Sequence, residues 1–131
     1  MKPTPQIDPR HDLFSWNFGT DAPEQQDAFV AAFVNYNRSI GGDIPDRDFV
    51  LIDSDAVIVC FIGVSADGEY EDHETVVRGT PGEPLRLWEF MHRLHLQIHR
   101  LLIDADHVFF EGLTVQGLRD GIPVLELRQG S

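Results

Sequence analysis

The chain has almost nothing with which to cross-link itself, bind polyanions or enter a membrane. Cys60 is its one cysteine, so no intrachain disulfide can form and no cysteine-based zinc site can be built. That residue lies in the apolar run at 57–62, where a small buried hydrophobe is expected rather than a reactive thiol. Lysine is nearly missing as well: Lys2 stands alone, nine arginines complete the ten basic residues, and 22 carboxylates leave a net charge of −12. Such a field repels DNA, RNA and anionic lipid, so neither nucleic acid nor a membrane surface is an expected partner. The opening residues MKPTPQIDPRH hold no apolar signal region, and no window approaches the ~20 apolar residues of a membrane span. A cytoplasmic protein is the expectation. Catalytic signatures are missing too: there is no G-x-S-x-G elbow, phosphate loop or dinucleotide fingerprint.

What remains is ordinary globular material. At 131 residues, with 42% hydrophobic and 24% charged, the chain is long enough for one domain with a real core. Residues 1–12 hold three prolines and read as an irregular N-terminal arm, followed by a single domain at 13–131. Residues 13–18 alternate apolar and polar as a short strand does. Thr20 or Asp21 then offers a cap for a helix starting near Pro23. Its buried stripe would be Ala22, Phe29, Phe33, Tyr36 and Ile40, and Gly41-Gly42 would end it. Strands are expected at 49–52, at 56–64 and at 70–77, the second so apolar that cover on both faces is implied. A second helix follows at about 85–103, and two strands at 107–116 and 122–129 close the chain around Arg119-Asp120-Gly121. The fold class is therefore α+β: an antiparallel sheet of about five to six strands with two helices packed on one face, in the order β-α-β-β-β-α-β-β.

The stretch MHRLHLQIHR at 91–100 is the most suggestive local feature. At ~100° per residue, Leu87, Met91, Leu94, Ile98 and Leu101 form the core stripe of the second helix. Trp88, His92, His95 and His99 follow one edge of it, and Arg86, Arg93 and Arg100 the other. His92 and His99 are ~10.5 Å apart in helical rise, so no single ion takes all three histidines. His95 and His99 have i, i+4 spacing but lack the glutamate of the helical zinc signature, Leu96 standing in its place. Boundary histidines beside a core or a subunit contact are expected, and neither a metal nor another cofactor is assigned. Asp53 and Asp55, assisted by His73, are the one carboxylate set that could begin a hydrolase or nuclease site, although aspartates flanking a strand commonly serve turns.

The negative charge is lopsided. Between Asp43 and Glu74 ten carboxylates face Arg47 alone, which places −9 of the −12 in that segment. Clustered carboxylates speed association with a basic protein, and desolvated Arg or Lys contacts then add specificity. The expected contact residues are Asp67, Glu69, Tyr70, Glu71, Asp72 and Glu74, with Asp46 and Asp48 flanking them and Tyr70 as an aromatic anchor. No catalytic residue is assigned.

In size, charge, single α+β domain and the acidic stretch DGEYEDHE at 67–74, the chain resembles bacterial immunity proteins, the small acidic partners of toxins. That resemblance implies a non-enzymatic inhibitor that caps a cationic toxin domain. From Pro23 onward the order helix, three strands, helix, two strands also looks like that of type III secretion chaperones, small acidic dimers, which implies an adaptor that self-associates through the second helix. Those chaperones begin at the first helix and end with a third, whereas this chain has about 20 residues before its first helix and finishes on a strand.

Overall fold

The apolar run at 56–64 becomes the strand around which the sheet is built. The computed structural model describes residues 4–44 and 46–131. Its elements are a 3-10 turn at Pro9–Leu13, α1 (Gln26–Ser39), β1 (Val50–Ile52), β2 (Ala56–Val64), β3 (Tyr70–Arg78), β4 (Leu85–Arg86), α2 (Leu87–Leu102), β5 (Phe109–Arg119) and β6 (Ile122–Gly130). The class is α+β, with two helices, a four-stranded sheet in the order β3-β2-β6-β5 and a two-stranded ribbon of β1 and β4. One junction departs from the antiparallel expectation: β2 and β6 run parallel over Ile58–Cys60. Past that point the two strands splay, and the Gln129 side chain takes the place of a strand. Its Oε1 accepts from Ile62 N–H at 2.8 Å, and its Nε2 donates to Ile62 C=O and His107 C=O, both at 2.9 Å.

The sheet has an inner and an open face. Val57, Val59, Phe61, Val77, Leu125 and Leu127 point inward and are buried beneath α2. The expectation that β2 is covered on both faces holds only for its first half, because Ile62 on the outer side is 51% exposed. Period-two alternation accounts for the difference, since the whole run is apolar but only alternate positions reach the helix. Cys60 also points outward and is half-buried, not sealed in the core as expected.

Residues 13–18 form no strand. Phe14, Trp16 and Phe18 do alternate into the core, as a strand would. Their backbone, however, is satisfied piecemeal: Asn37 accepts from Ser15 N–H at 2.8 Å and donates to Ser15 C=O at 3.0 Å, while Phe110 N–H reaches Trp16 C=O at 2.8 Å. Within the expected arm, Pro9–Leu13 form the 3-10 turn, capped by Asp8, and His11 is buried. Residues 1–3 of that arm lie outside the described residues. The buried Trp16 indole meets Phe29, Phe33 and Tyr36 of α1 edge-on, with ring centroids 5.0 to 5.7 Å apart, and so locks α1 to this segment.

α1 begins three residues later than Pro23, and Gln25 at its cap makes no side-chain bond. Both expected caps have other tasks: Thr20 Oγ donates to Asn17 C=O, and Asp21 faces His99. Phe29 and Phe33 are buried and Tyr36 partly so, but Ile40 is exposed because the helix has ended and Gly41 turns the chain at φ +74°. At the other end of the domain, Asp120 (φ 53°) and Gly121 (φ 80°) make the two-residue hairpin between β5 and β6.

Gly63 sets how closely α2 settles on the sheet. A Cβ there would lie 3.0 Å from both Leu101 Cβ and His73 Cδ2, and 3.1 Å from Leu101 C=O. Gly63→Ala is therefore expected to lift the last turn of α2 and to cost about 1–3 kcal/mol. An unchanged midpoint in urea unfolding would show that the helix does not rest on this glycine.

Candidate functional site

The histidine strip of α2 is an internal wall rather than a surface. His92 and His95 are buried, against the expectation of boundary positions. The reason is that α1 and residues 14–21 cover the flank that sequence periodicity left at the margin. His92 stacks on Phe29 at 4.8 Å, and His95 stacks on His99 at 5.0 Å. Trp16 Nε1 donates to His95 Nδ1 at 3.0 Å, which fixes the neutral ring with its proton on Nε2. The Nε2 atoms of His92 and His95 have no hydrogen-bond partner among the described residues. His99 places Nδ1 2.8 Å from Phe18 C=O and Nε2 3.2 Å from the Asp21 carboxylate. Trp88 belongs elsewhere: its indole N–H donates to Arg47 C=O and its ring lies under the Arg47 guanidinium, pinning the loop before β1.

Burial holds His95 down at about 4, from an ordinary 6.5, with the positive charge that His99 and His92 can carry adding to the effect. A histidine depressed in the native state stabilises the fold fully above its unfolded value and less as pH falls. Stability should therefore decline between about pH 6.5 and pH 4, by about 3 kcal/mol for this residue at most. Exposed carboxylates titrate over part of the same range. The diagnostic quantity is thus the difference from His95→Gln, whose amide can still accept from Trp16 but cannot titrate. Parallel unfolding free energies for the two proteins across that window would remove the assignment.

The carboxylate set around Asp53 and Asp55 does not close on His73. Asp55 Oδ2 accepts from Gly82 N–H at 2.8 Å, and its C=O accepts from Gly79 N–H, so it organises the turn after β3. His73 sits opposite Phe61, stacked on it at 5.4 Å, well along the sheet from Asp55 and Gly79. Among the described residues, no three His, Cys, Asp or Glu side chains come together in a way that could hold a metal ion.

The eight acidic-segment residues divide between two ends and two faces. Asp46 and Asp48 lie in the loop before β1, near the start of α2, where Asp48 is 4.0 Å from Arg86. Asp67 and Glu69 are at the far end of the sheet, in the turn joining β2 to β3. There Ser65 hydroxyl donates to Asp67, an interaction that holds this carboxyl below its usual range. Along β3 the side chains alternate. Glu71 shares the inner side with His73, while Tyr70, Asp72 and Glu74 stand on the open face opposite Val64, Ile62 and Cys60. Across the open face Arg119 reaches Glu74 at 2.7 Å, and Glu126 from β6 flanks Cys60 on its other side. Burial, then the neighbouring Glu74, pushes the Cys60 thiol up, which keeps it protonated and unreactive at neutral pH.

Comparison with family models, with curated proteins and with solved structures finds no match to this chain. No helix among the described residues is long and apolar enough to cross a membrane.

Sequence reasoning missed the participants outside β3: Ile62, Glu126 and Arg119. A signal for two of them was present. Within 56–64 and 122–129 each second position faces one way, so pairing those registers would have placed Ile62 and Glu126 beside Glu74. Where β2 and β6 splay, Ile62, Tyr70, Glu126 and Gln129 line a cleft of roughly 600 Å³. The Tyr70 hydroxyl spans it and accepts from Asp106 N–H at 3.2 Å.

Proposed function

We propose that this chain is a non-enzymatic binding domain that docks a basic protein on its open sheet face, in the manner of an immunity protein capping a toxin. The observation that carries this reading is the coincidence of exposed apolar and acidic groups on the one face that no helix covers. Ile62, Tyr70 and Val76 are each at least 40% exposed there. Asp72, Glu74 and Glu126 rim them. An apolar centre with charged margins is how protein interfaces are built, the centre giving affinity and the rim speeding encounter. The surface is centred on Tyr70, Asp72 and Glu74, with Asp67 and Glu69 at one end and Glu71 on the inner side of the same strand. Asp46 and Asp48, at the opposite end, would add long-range attraction rather than contact.

A photo-crosslinking side chain in place of Ile62 should trap a basic protein in cells, and the same group in place of Ile40, beyond α1, should not. With that partner in hand, charge reversal of Glu69, Glu71 and Asp72 together is expected to slow association by about tenfold or more and to flatten its salt dependence. Equal rates for the reversed and native proteins would defeat the proposal.

The adaptor reading is supported by a separate observation: from α1 onward the chain runs helix, four strands, helix, two strands, the fourth strand being the two-residue β4 that leads directly into α2. In that reading α2 joins two copies, and Leu96, 49% exposed on its outer side between Arg93 and Arg100, is the natural contact. Sedimentation tests it. A dimer that Leu96→Glu dissociates supports the adaptor, and a monomeric native protein eliminates it.

A further inference from the structure

The four-stranded sheet has two outer strands, and they are finished very differently. β5 is sealed along its first half by residues 11–18: Phe18 N–H reaches Val108 C=O at 2.9 Å, Phe110 N–H reaches Trp16 C=O, and Leu113 N–H reaches His11 Nε2 at 2.9 Å. Its register also slips twice, between Phe110 and Leu113 and between Val115 and Gly117. Slips of that kind discourage further pairing. β3 has neither protection. It pairs with β2 over nine residues in unbroken register, with no proline and no bulge.

The parity of the ladder fixes what β3 shows to solvent. Ser65 N–H to Glu69 C=O and Gly79 N–H to Asp55 C=O, each 2.8 Å, bracket it. The odd-numbered residues of β3 therefore exchange bonds with β2, and the backbone groups of Tyr70, Asp72, Glu74 and Val76 point away from the sheet. Gln97 Nε2 covers the Val76 carbonyl at 2.8 Å. Nothing among the described residues bonds to the N–H or C=O of Tyr70, Asp72 or Glu74. These are the same three residues whose side chains stand on the open face.

We infer that the outer edge of β3 is a strand-addition site for an extended segment of the partner bearing basic residues at alternate positions. This rests on the reading that the protein docks a basic partner, and it names how the partner is held. A strand added antiparallel would form bonded pairs with Tyr70, Asp72 and Glu74, and its facing side chains would stand ~5 Å from theirs. An apolar residue suits Tyr70, and arginine or lysine suits Asp72, which is exposed and meets no cation among the described residues. Glu74 can share its carboxylate between Arg119 and an incoming cation. Positions of the other parity turn toward α2, whose Arg93 flank lies between the Glu89 contact near Gly79 and the Gln97 contact with Thr75. A continuous basic run would meet that cation, whereas alternation avoids it. A second copy of this chain is a poor occupant, because each copy carries −12 and edge-to-edge pairing would gather Asp72 and Glu74 of both.

The probe is the capped peptide Thr-Arg-Thr-Arg-Thr-Val-Thr, compared with a block arrangement of the same residues, Thr-Thr-Arg-Arg-Val-Thr-Thr. Two N-methylated forms complete the set: one methylated on the arginines, whose N–H groups would face β3, and one on the central threonines, whose N–H groups would face away. Affinity is measured by calorimetry and location by amide shifts. The alternating peptide is expected to bind best and to perturb the amides of Tyr70, Asp72 and Glu74. Arginine methylation should weaken it by about tenfold or more, and threonine methylation should change little. If both methylated forms and the block peptide bind as tightly as the parent, backbone pairing is refuted while the acidic docking face survives. If no peptide binds at low salt, or the protein pairs with itself through β3, the inference fails outright. The wider reading is judged separately, by the charge-reversal kinetics.

Discussion

Every buried peptide group in a folded chain needs a hydrogen-bond partner, and in this protein side chains supply many of the partners that regular structure leaves out. His11 Nε2 accepts from the Leu113 amide at a register slip of β5, and its Nδ1 donates to Asp8 C=O at 2.7 Å. Asn37, fully buried, pairs with both backbone groups of Ser15 and also donates to Phe33 C=O at 2.9 Å. Gln129 stands in for a strand between Ile62 and His107. Each of these side chains meets backbone groups that a neighbouring ladder or helix leaves unpaired. An unmet buried amide would cost about 1–3 kcal/mol apiece, so His11 and Asn37, whose bonds lie in or near the interior, matter more to the irregular segment before α1 than Gln129 does at the exposed end of the sheet. The outer edge of β3 stands apart because its amides have been left to solvent.

Surface charge plays a smaller part in stability. The ion pairs Arg47–Asp27, Arg86–Asp48 and Arg128–Asp12 are exposed on both sides, and pairs of that kind contribute little. Arg10 does hold the Asp8 carboxyl down to about 2, through hydrogen bonds within two residues, and this steadies the cap of the 3-10 turn. Most of the excess negative charge is therefore free to act at a distance. That suits a molecule that attracts a partner better than one that has spent its carboxylates on internal bracing.

The regular parts of the fold were legible in the sequence because their signals are local. The continuous apolar run at 56–64 became Ala56–Val64, and the spacing of Leu87, Met91, Leu94 and Ile98 found the buried stripe of α2. Turn chemistry marked Gly41, Gly68 and Asp120-Gly121, all of which turn through positive φ. Relations at long range were not legible. Nothing near Phe14, Trp16 and Phe18 says that the backbone between them is shared between the Asn37 amide, at Ser15, and the start of β5, at Trp16 and Phe18. Nothing near His95 says that Trp16 lies over it. The acidic segment looked like one feature because it is contiguous in sequence, but a hairpin separates its ends and a pleat divides its faces. Glu126, from another strand altogether, then joins the group on the open side.

The bond between His11 and the Leu113 amide spans 102 positions of the chain. During synthesis at ~5–20 residues per second, the imidazole emerges roughly 5 to 20 s before the amide it will serve. Phe14, Trp16 and Phe18 emerge with it; Trp16 can meet α1 soon afterwards, but the contacts of Trp16 with His95 and of Phe18 with Phe110 wait until α2 and β5 have been made. The bond that ties this segment to β5 therefore cannot form until a hundred further residues have been added, however early the segment meets α1.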